Sequence, residues 1–364
     1  MKILGLMSGT SMDGLDCCYA DIDISKNYNL KFKIIDFITY DFTEYIKNLI
    51  NQSLGNKDLA STLKCNEYLG MFFYDRSKKF LNNRHVELIS LHGQTISHID
   101  GKNTVQIGNP KYLHEYFKVP VCYEFRKLDI ILGGTGAPLI PFLDWLIFRN
   151  SSFDVITLNL GGIANITYLP SFCARNDVIG FDTGPGMCLI DEYVNLNFGL
   201  SYDKDGLFAS KGNINNDLLY HLMKDQFINK KYPKSTSREV FGFEYLNNII
   251  DKFERIGIFD FLRTLVMFTA KSIHFNVKKH IRYKDDLRLI LSGGGSRNLL
   301  LVNDLKFLFK DVNITFINEY NIESDAKESF LMAVMGVTRF KNIDNNMPSV
   351  TGARKNACYG KIYE

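Results

Sequence analysis

The seven cysteines of this 364-residue chain include no CxxC pair, and their number is odd. A disulfide framework and a zinc site are therefore not expected, and reduced thiols in a cytoplasm suit the pattern. No stretch reaches the ~18 continuous apolar residues of a membrane helix. The first residues form a short strand entering a turn, without the apolar core of about 7–15 residues that marks a signal peptide. Excess charge is also missing: 43 basic against 40 acidic residues leave a net +3 with the basic side chains scattered, which argues against nucleic acid. There is no GxxxxGK[ST] loop, so a nucleotide site of that type is excluded. His114-Glu115 begins an HExxH pattern, but Lys118 stands where the second histidine belongs, and no GxSxG elbow occurs.

What remains is ordinary in bulk, with 46% hydrophobic and 23% charged residues in a length suited to roughly two domains. Its pattern is more specific. Ile3–Met7 reads as a strand, Ser8-Gly9-Thr10-Ser11-Met12-Asp13-Gly14 as a turn, and Leu15–Ile24 as a returning strand. Hydroxyls and backbone N–H groups in such a turn can cradle phosphate oxygens. Asp16 falls on the face of Cys18, Ala20, Ile22 and Ile24, where a carboxylate needs a partner such as magnesium. The competing reading is a surface hairpin whose acidic residues serve the turn. Asp154–Leu160, Gly161-Gly162 and Ile163–Leu169 repeat the pattern about one domain length later, suggesting two similar domains facing each other across a nucleotide cleft.

Mixed α/β character continues along the chain. Helical spacing runs from Glu44 to Phe80, a buried strand covers 86–91, and Gly133–Pro138 is a loop before a helix over 139–148. A short strand at 178–181 leads into Asp182-Thr183-Gly184-Pro185-Gly186 and a helix from about Met187. Gly206–Arg238 reads as a polar, partly helical, mobile excursion. Leu262, Leu265, Val266, Thr269, Ile273, Val277 and Ile281 mark one face of a helix over 261–281. A strand at 287–291 opens onto Ser292-Gly293-Gly294-Gly295, and a last long helix spans 325–340.

Taken together, these motifs resemble the anhydro-N-acetylmuramic acid kinase family. The resemblance rests on Gly5–Asp16, Leu91-His92-Gly93-Gln94-Thr95, Gly134–Leu139, Asn159–Asn165, Phe181–Gly186, Lys234-Ser235-Thr236, Ser292–Gly295 and Val350-Thr351-Gly352-Ala353, and so covers nearly the whole chain. It implies two ribonuclease-H-like domains of the actin/hexokinase/Hsp70 superfamily flanking a nucleotide cleft. The expected domains are residues 1–133 with 336–364, and residues 134–335. The implied reaction uses ATP and water to convert 1,6-anhydro-N-acetylmuramic acid to N-acetylmuramic acid 6-phosphate during cell-wall recycling, in a cytoplasmic enzyme that forms a homodimer. The chain departs from the family pattern at Met187 (usually Asn), Thr135 (often Gln), Ser237 (often Gly) and before Phe125-Arg126, where Tyr123-Glu124 replaces Ser-Asp.

The implied chemistry assigns roles. Water attacking C1 needs a general base, and Asp182 is the expected one, although an Asp before a glycine-rich turn also serves as an Asx-turn residue or helix cap. Glu328 is the second expected catalytic carboxylate; Asp325 three residues earlier gives it capping-box spacing, the structural alternative. ATP is expected at Gly9, Thr10, Ser11, Met12, Asp13, Gly14, Leu15 and Asp16, at Gly161 and Gly162, and at Gly293, Gly294 and Gly295, with Mg²⁺ on Asp16. His92, Gln94 and Thr95 are expected to contact the sugar or to shape its cleft, and Arg126 and Gly134 to contact the sugar. Arg126 suits the lactyl carboxylate of a muramic sugar, though an ordinary salt bridge reads the same. The Lys234–Arg238 loop either covers substrate or is a solvated turn.

Overall fold

The structure is a computed structural model and describes residues 1–9, 12–56, 58–284 and 286–364. Backbone contacts divide the chain into two units, residues 1–147 with 321–364, and residues 148–320. The first holds β1 (Lys2–Ser8), β2 (Gly14–Ile24), β3 (Leu30–Asp41), β4 (Leu88–Ile99), β5 (Asn103–Ile107), β6 (Val121–Tyr123) and a C-terminal strand, Lys361–Tyr363. Its sheet runs C-terminal strand–β6–β4–β1–β2–β3, with β5 paired to β4. β1, β2 and β3 form an antiparallel meander, whereas β4 runs parallel to β1 and β6 parallel to β4.

The second unit repeats this plan with β7 (Asp154–Leu160), β8 (Ile163–Leu169), β9 (Ile179–Pro185), β10 (Leu287–Ser292) and β11 (Asn313–Phe316). Its order is β11–β10–β7–β8–β9, the first three in chain order antiparallel and the last two added in parallel beside β7. A three-strand meander extended on its first strand by parallel strands is the ribonuclease-H-like topology, present here twice.

Strand alternation places the cores. Leu4 and Leu6 of β1 and Leu15, Cys17 and Tyr19 of β2 join Leu69 and Phe73 of the Leu59–Leu81 helix in one cluster. The opposite face of β1 carries Gly5 against the Lys327–Phe340 helix: a methyl group there would lie 2.1 Å from the Ser329 carbonyl oxygen. In the second unit, every residue of the expected 261–281 apolar face is buried, as the helix Ile258–His280 packs on the sheet.

Three sequence expectations differ from the structure. The helix expected over 44–80 is two, Glu44–Ser53 and Leu59–Leu81, because Gly55 adopts a left-handed φ of 76° between them. Gly206–Arg238 contains the helices Asn216–Met223 and Gln226–Asn229, and Leu218, Leu222 and Ile228 are buried, so it is anchored in the core. The unit borders fall at 147/148 and 320/321, where 133/134 and 335/336 were expected. The reason is local: Gly134 N–H donates to the Asp129 carbonyl and Thr135 N–H to that of Thr351, while Lys327–Phe340 packs on β1, β2 and β4.

Gly5→Ala drives a methyl group into helix backbone that has no rotamer to change. It should lower stability by about 1–3 kcal/mol or more, the range for overpacking, seen as a drop in melting temperature. A melting temperature equal to the wild type would contradict this packing.

Candidate functional site

In the first unit, the turn between β1 and β2 is tied down from β4. The Gln94 amide Nε2 donates to the Gly9 carbonyl at 3.0 Å and to the Thr95 carbonyl at 3.2 Å, while its Oε1 accepts from the Ser8 hydroxyl. Gln94 is fully buried, so its geometry supports shaping of the turn and not direct contact with a sugar. Gly9 also accepts from Met12 N–H, Asp13 from Phe42 N–H, Gly14 starts β2, and the Leu15 side chain lies in the core. Thr10 and Ser11, expected to touch phosphate, lie outside the described residues.

Asp16 stands opposite Thr39 in the β2–β3 ladder and accepts its hydroxyl hydrogen bond at 2.6 Å. Burial raises its carboxyl to about 6 against the pull of Thr39, with the negative charges of Glu328, Asp325 and Asp13 adding to the rise. Glu328 belongs to the first turn of the Lys327–Phe340 helix. Its carboxylate opens to solvent but is crowded by protein, which raises its pKa, while Arg126 and Lys327 pull it down. The capping-box alternative is not formed: Ala326 is the N-cap and has no side-chain bond. A buried ion pair, Lys327 Nζ to Asp144 at 2.8 Å, fixes the start of that helix.

His92 and Arg126 form one unit of charge control. Arg126 Nε–H donates to His92 Nε2 at 2.8 Å, and His92 Nδ1–H donates to the Gly93 carbonyl at 2.7 Å, a pairing that defines the neutral tautomer. Burial first, and then the Arg126 charge, lower His92 to about 3. Arg126 itself, lowered by burial to about 10, stays charged; its Nη1 donates to the Gly136 carbonyl at 2.9 Å. Among the described residues Nη2 has no hydrogen-bond partner, and Glu328 feels the charge of the guanidinium. Thr95 is half-buried and accepts from Gln106 Nε2 at 3.2 Å. Gly134 is buried over Asp129: a methyl group would lie 2.2 Å from Asp129 Oδ2. Asp129, which sequence reasoning missed, accepts from Gly136 N–H, Thr351 Oγ1 and Tyr359 OH and so fixes the loop backbone.

In the second unit, Asp182 lies on β9 beside a register shift opposite Ala164 and Asn165. Its Oδ2 accepts from Thr236 N–H at 2.8 Å and Ser235 Oγ at 3.2 Å, and its own N–H donates to the Lys234 carbonyl at 3.2 Å. The Lys234–Arg238 segment therefore docks on Asp182 itself. Lys234 is buried, lowered to about 8 chiefly by burial, and its Nζ donates to the Phe227 and Ile228 carbonyls. No local signal in the sequence pairs positions 182 and 236.

The Gly161-Gly162 turn closes on the start of the Cys188–Phe198 helix. Gly186 and Cys188 N–H donate to the Gly162 carbonyl and Met187 N–H to that of Gly161. Met187, where the family pattern has Asn, packs against Gly295: a methyl group at Gly295 would lie 2.8 Å from its Sδ. Gly293 takes φ +83°, and the space over Gly294 is open to 4 Å. Among the described residues, no group of three or more His, Cys, Asp or Glu side chains is placed to hold a metal.

A family model described as "Anhydro-N-acetylmuramic acid kinase" matches residues 1–364. A relative of that name from Clostridioides difficile is 38% identical over 376 aligned residues, covering 100% of this chain and 98% of the relative. One from Bacillus cereus is 35% identical over 378, covering 100% and 99%. Among solved structures, the activator of 2-hydroxyisocaproyl-CoA dehydratase from Clostridium difficile, with bound ADPNP, aligns over 94% of this chain and 96% of its own. Its identity is 12% and its TM-score 0.43.

The raised Asp16 carboxyl gives a direct check. Without Mg²⁺, carboxyl NMR should find Asp16 titrating near 6, and Glu328→Gln should lower that value because one repelling charge is gone. An unchanged Asp16 titration in the variant would show that the two carboxylates do not interact.

Proposed function

Because the chain belongs to the anhydro-N-acetylmuramic acid kinase family, we propose that it cleaves the 1,6-anhydro ring of anhydro-N-acetylmuramic acid with water. ATP phosphorylates O6 in the same reaction, giving N-acetylmuramic acid 6-phosphate for cell-wall recycling. Water forms the new bond to C1, the C1–O6 bond breaks, and O6 takes the γ-phosphoryl group as the bond to ADP breaks. No protein acid is needed at O6, because phosphoryl transfer captures its charge. The water proton goes to a carboxylate, as in the base half of an inverting glycosidase.

Asp182 is that carboxylate. The observation supporting it is the pair of donors, Thr236 N–H and Ser235 Oγ, that orient its Oδ2 from one loop. Both donors favour the ionised form, which a base requires. Arg126, its imidazole partner held neutral, is assigned to the lactyl carboxylate, Thr95 to the sugar, and Gln94 and Gly134 to shaping their own loops. Glu328 is assigned a role near the sugar or the attacking water. ATP is assigned to the Gly9–Asp16 turn, to Gly161-Gly162 and to Gly293–Gly295, of which Gly294 has open space over its backbone.

Magnesium suits Asp16: among the described residues its carboxylate has one hydrogen-bond donor, Thr39, and several negative neighbours. With so few protein ligands, the ion would share Asp16 with water and phosphate oxygens, the habit of Mg²⁺, and would neutralise phosphate charge. No helix among the described residues is long and apolar enough to cross a membrane. A cytoplasmic homodimer is inferred from the family, and a sedimentation mass of twice the 41.8 kDa chain checks the dimer.

Asp182→Asn keeps the shape and loses the base. It should retain fold and ATP binding while turnover falls roughly 10²–10⁴-fold, with ring opening and phosphorylation falling together. A structural cap would instead cost about 1 kcal/mol of stability with turnover intact. Product analysis and thermal melting on the one variant separate the two, and near-normal turnover would remove Asp182 from the mechanism.

A further inference from the structure

The loop that docks on Asp182 ends on a cation with no assigned role. Arg238 lies two residues beyond Thr236, and its guanidinium covers Gly162: a methyl group at Gly162 would lie 2.2 Å from Arg238 Nε and 2.8 Å from Cζ and Nη2. Only a residue without a side chain admits the guanidinium there. Arg238 is exposed, and among the described residues it makes no hydrogen bond or ion pair. Asp191, in the first turn of the Cys188–Phe198 helix, feels its charge, yet the buried Asp191 Oδ1 has no hydrogen-bond partner. The two are near each other without being locked together.

The turn beneath is equally uncommitted on one side. Both carbonyls, of Gly161 and Gly162, accept hydrogen bonds from the 186–188 backbone, whereas neither glycine's N–H donates to an acceptor among the described residues. The acceptors are satisfied, the donors have no acceptor among the described residues, and a guanidinium lies against Gly162. That combination selects an anion, and a planar five-donor cation suits phosphate oxygens in particular. The loop is held for the purpose at both ends. Thr236 N–H sits on Asp182, and Phe241, fully buried, receives the turn through its N–H bond to the Ser237 carbonyl.

We propose that Arg238 is a catalytic residue of the phosphoryl-transfer half of the reaction, contacting the transferred phosphoryl group over the Gly161-Gly162 turn. The inference rests on the kinase reading above. Charge on the equatorial phosphoryl oxygens is what the protein must stabilise in such a step, and a positioned arginine is suited to it. Since the same loop orients Asp182, the segment from 234 to 238 serves both halves of the reaction.

The test compares wild type, Arg238→Ala and Arg238→Lys in the intact enzyme with Mg²⁺-ATP and the anhydro sugar. Arg238→Ala should lose about 10²–10³-fold in kcat, the scale of one removed transition-state donor. Its KM for the sugar and its melting temperature should stay close to wild type. Arg238→Lys should recover part of the loss, and added guanidinium should partly rescue the alanine variant. An active wild type with Arg238→Ala within threefold of its kcat would overturn the role of Arg238 alone. So would a kcat loss with a lowered melting temperature and no rescue, since that is the mark of a structural residue. A wild type that transfers nothing from ATP to the anhydro sugar would overturn the kinase reading and this inference with it.

Discussion

In each unit the hairpin that opens the sheet ends in a glycine turn whose carbonyls the sheet cannot satisfy. A segment from much further along the chain meets them. In the first unit the Gln94 amide bonds to Gly9; in the second, the N–H groups of Gly186, Met187 and Cys188 bond to Gly161 and Gly162. An acceptor shielded from water and left unmet costs on the order of 1–3 kcal/mol, so ties of this kind stabilise the turns, and Gly9 has Met12 N–H as a local donor besides. The carbonyls of 161 and 162 are taken by the 186–188 backbone while the N–H groups of these glycines have no acceptor among the described residues, and unmatched donors are what an anion requires.

Charge is separated by the same economy of partners. His92 gives its Nε2 lone pair to Arg126 and its Nδ1 proton to the Gly93 carbonyl, so burial can hold the ring neutral. The arginine then keeps its charge with one terminal nitrogen unbonded. Asp16 is the opposite case, a half-buried carboxylate with one hydroxyl donor and three acidic neighbours. The first unit thus keeps a charged guanidinium and a carboxylate pressed by negative neighbours, with Glu328 acting on both.

Much of this was legible in the sequence because it is local. Alternating strands around 3–24 and 154–169, the apolar face of 261–281 and the glycine turns are all patterns within about twenty residues. The break at Gly55 was harder, since a glycine within helical spacing is tolerated as often as it terminates. Contacts between distant positions were not legible. Thr236 with Asp182, Arg238 with Gly162, and Thr351 with Asp129 are separated by 54, 76 and 222 residues, respectively. Nothing in local spacing marks such partners. Gln94 shows the same limit in reverse: from sequence an amide in a turn motif could contact the sugar or shape the cleft, and its full burial and its bonds to Ser8 and Gly9 favour the second.

The departures from the family pattern are absorbed by the same backbone logic. Thr135 turns its hydroxyl to the Ala137 carbonyl at 2.7 Å, bracing its own loop. Ser237 accepts Glu239 N–H on its hydroxyl at 3.3 Å, while its carbonyl takes Val240 and Phe241 N–H. A glycine could supply the carbonyl but not the hydroxyl, and would add freedom immediately before Arg238. Met187 fills the space over Gly295 with an unbranched, adaptable side chain while its N–H still reaches Gly161. At 135 and 237 the altered side chain braces its own turn, and at 187 it packs against Gly295. The Asp182 carboxylate and the segment that carries Arg238 are held by main-chain bonds and a buried anchor, Thr236 N–H on Asp182 and Phe241 N–H on the Ser237 carbonyl.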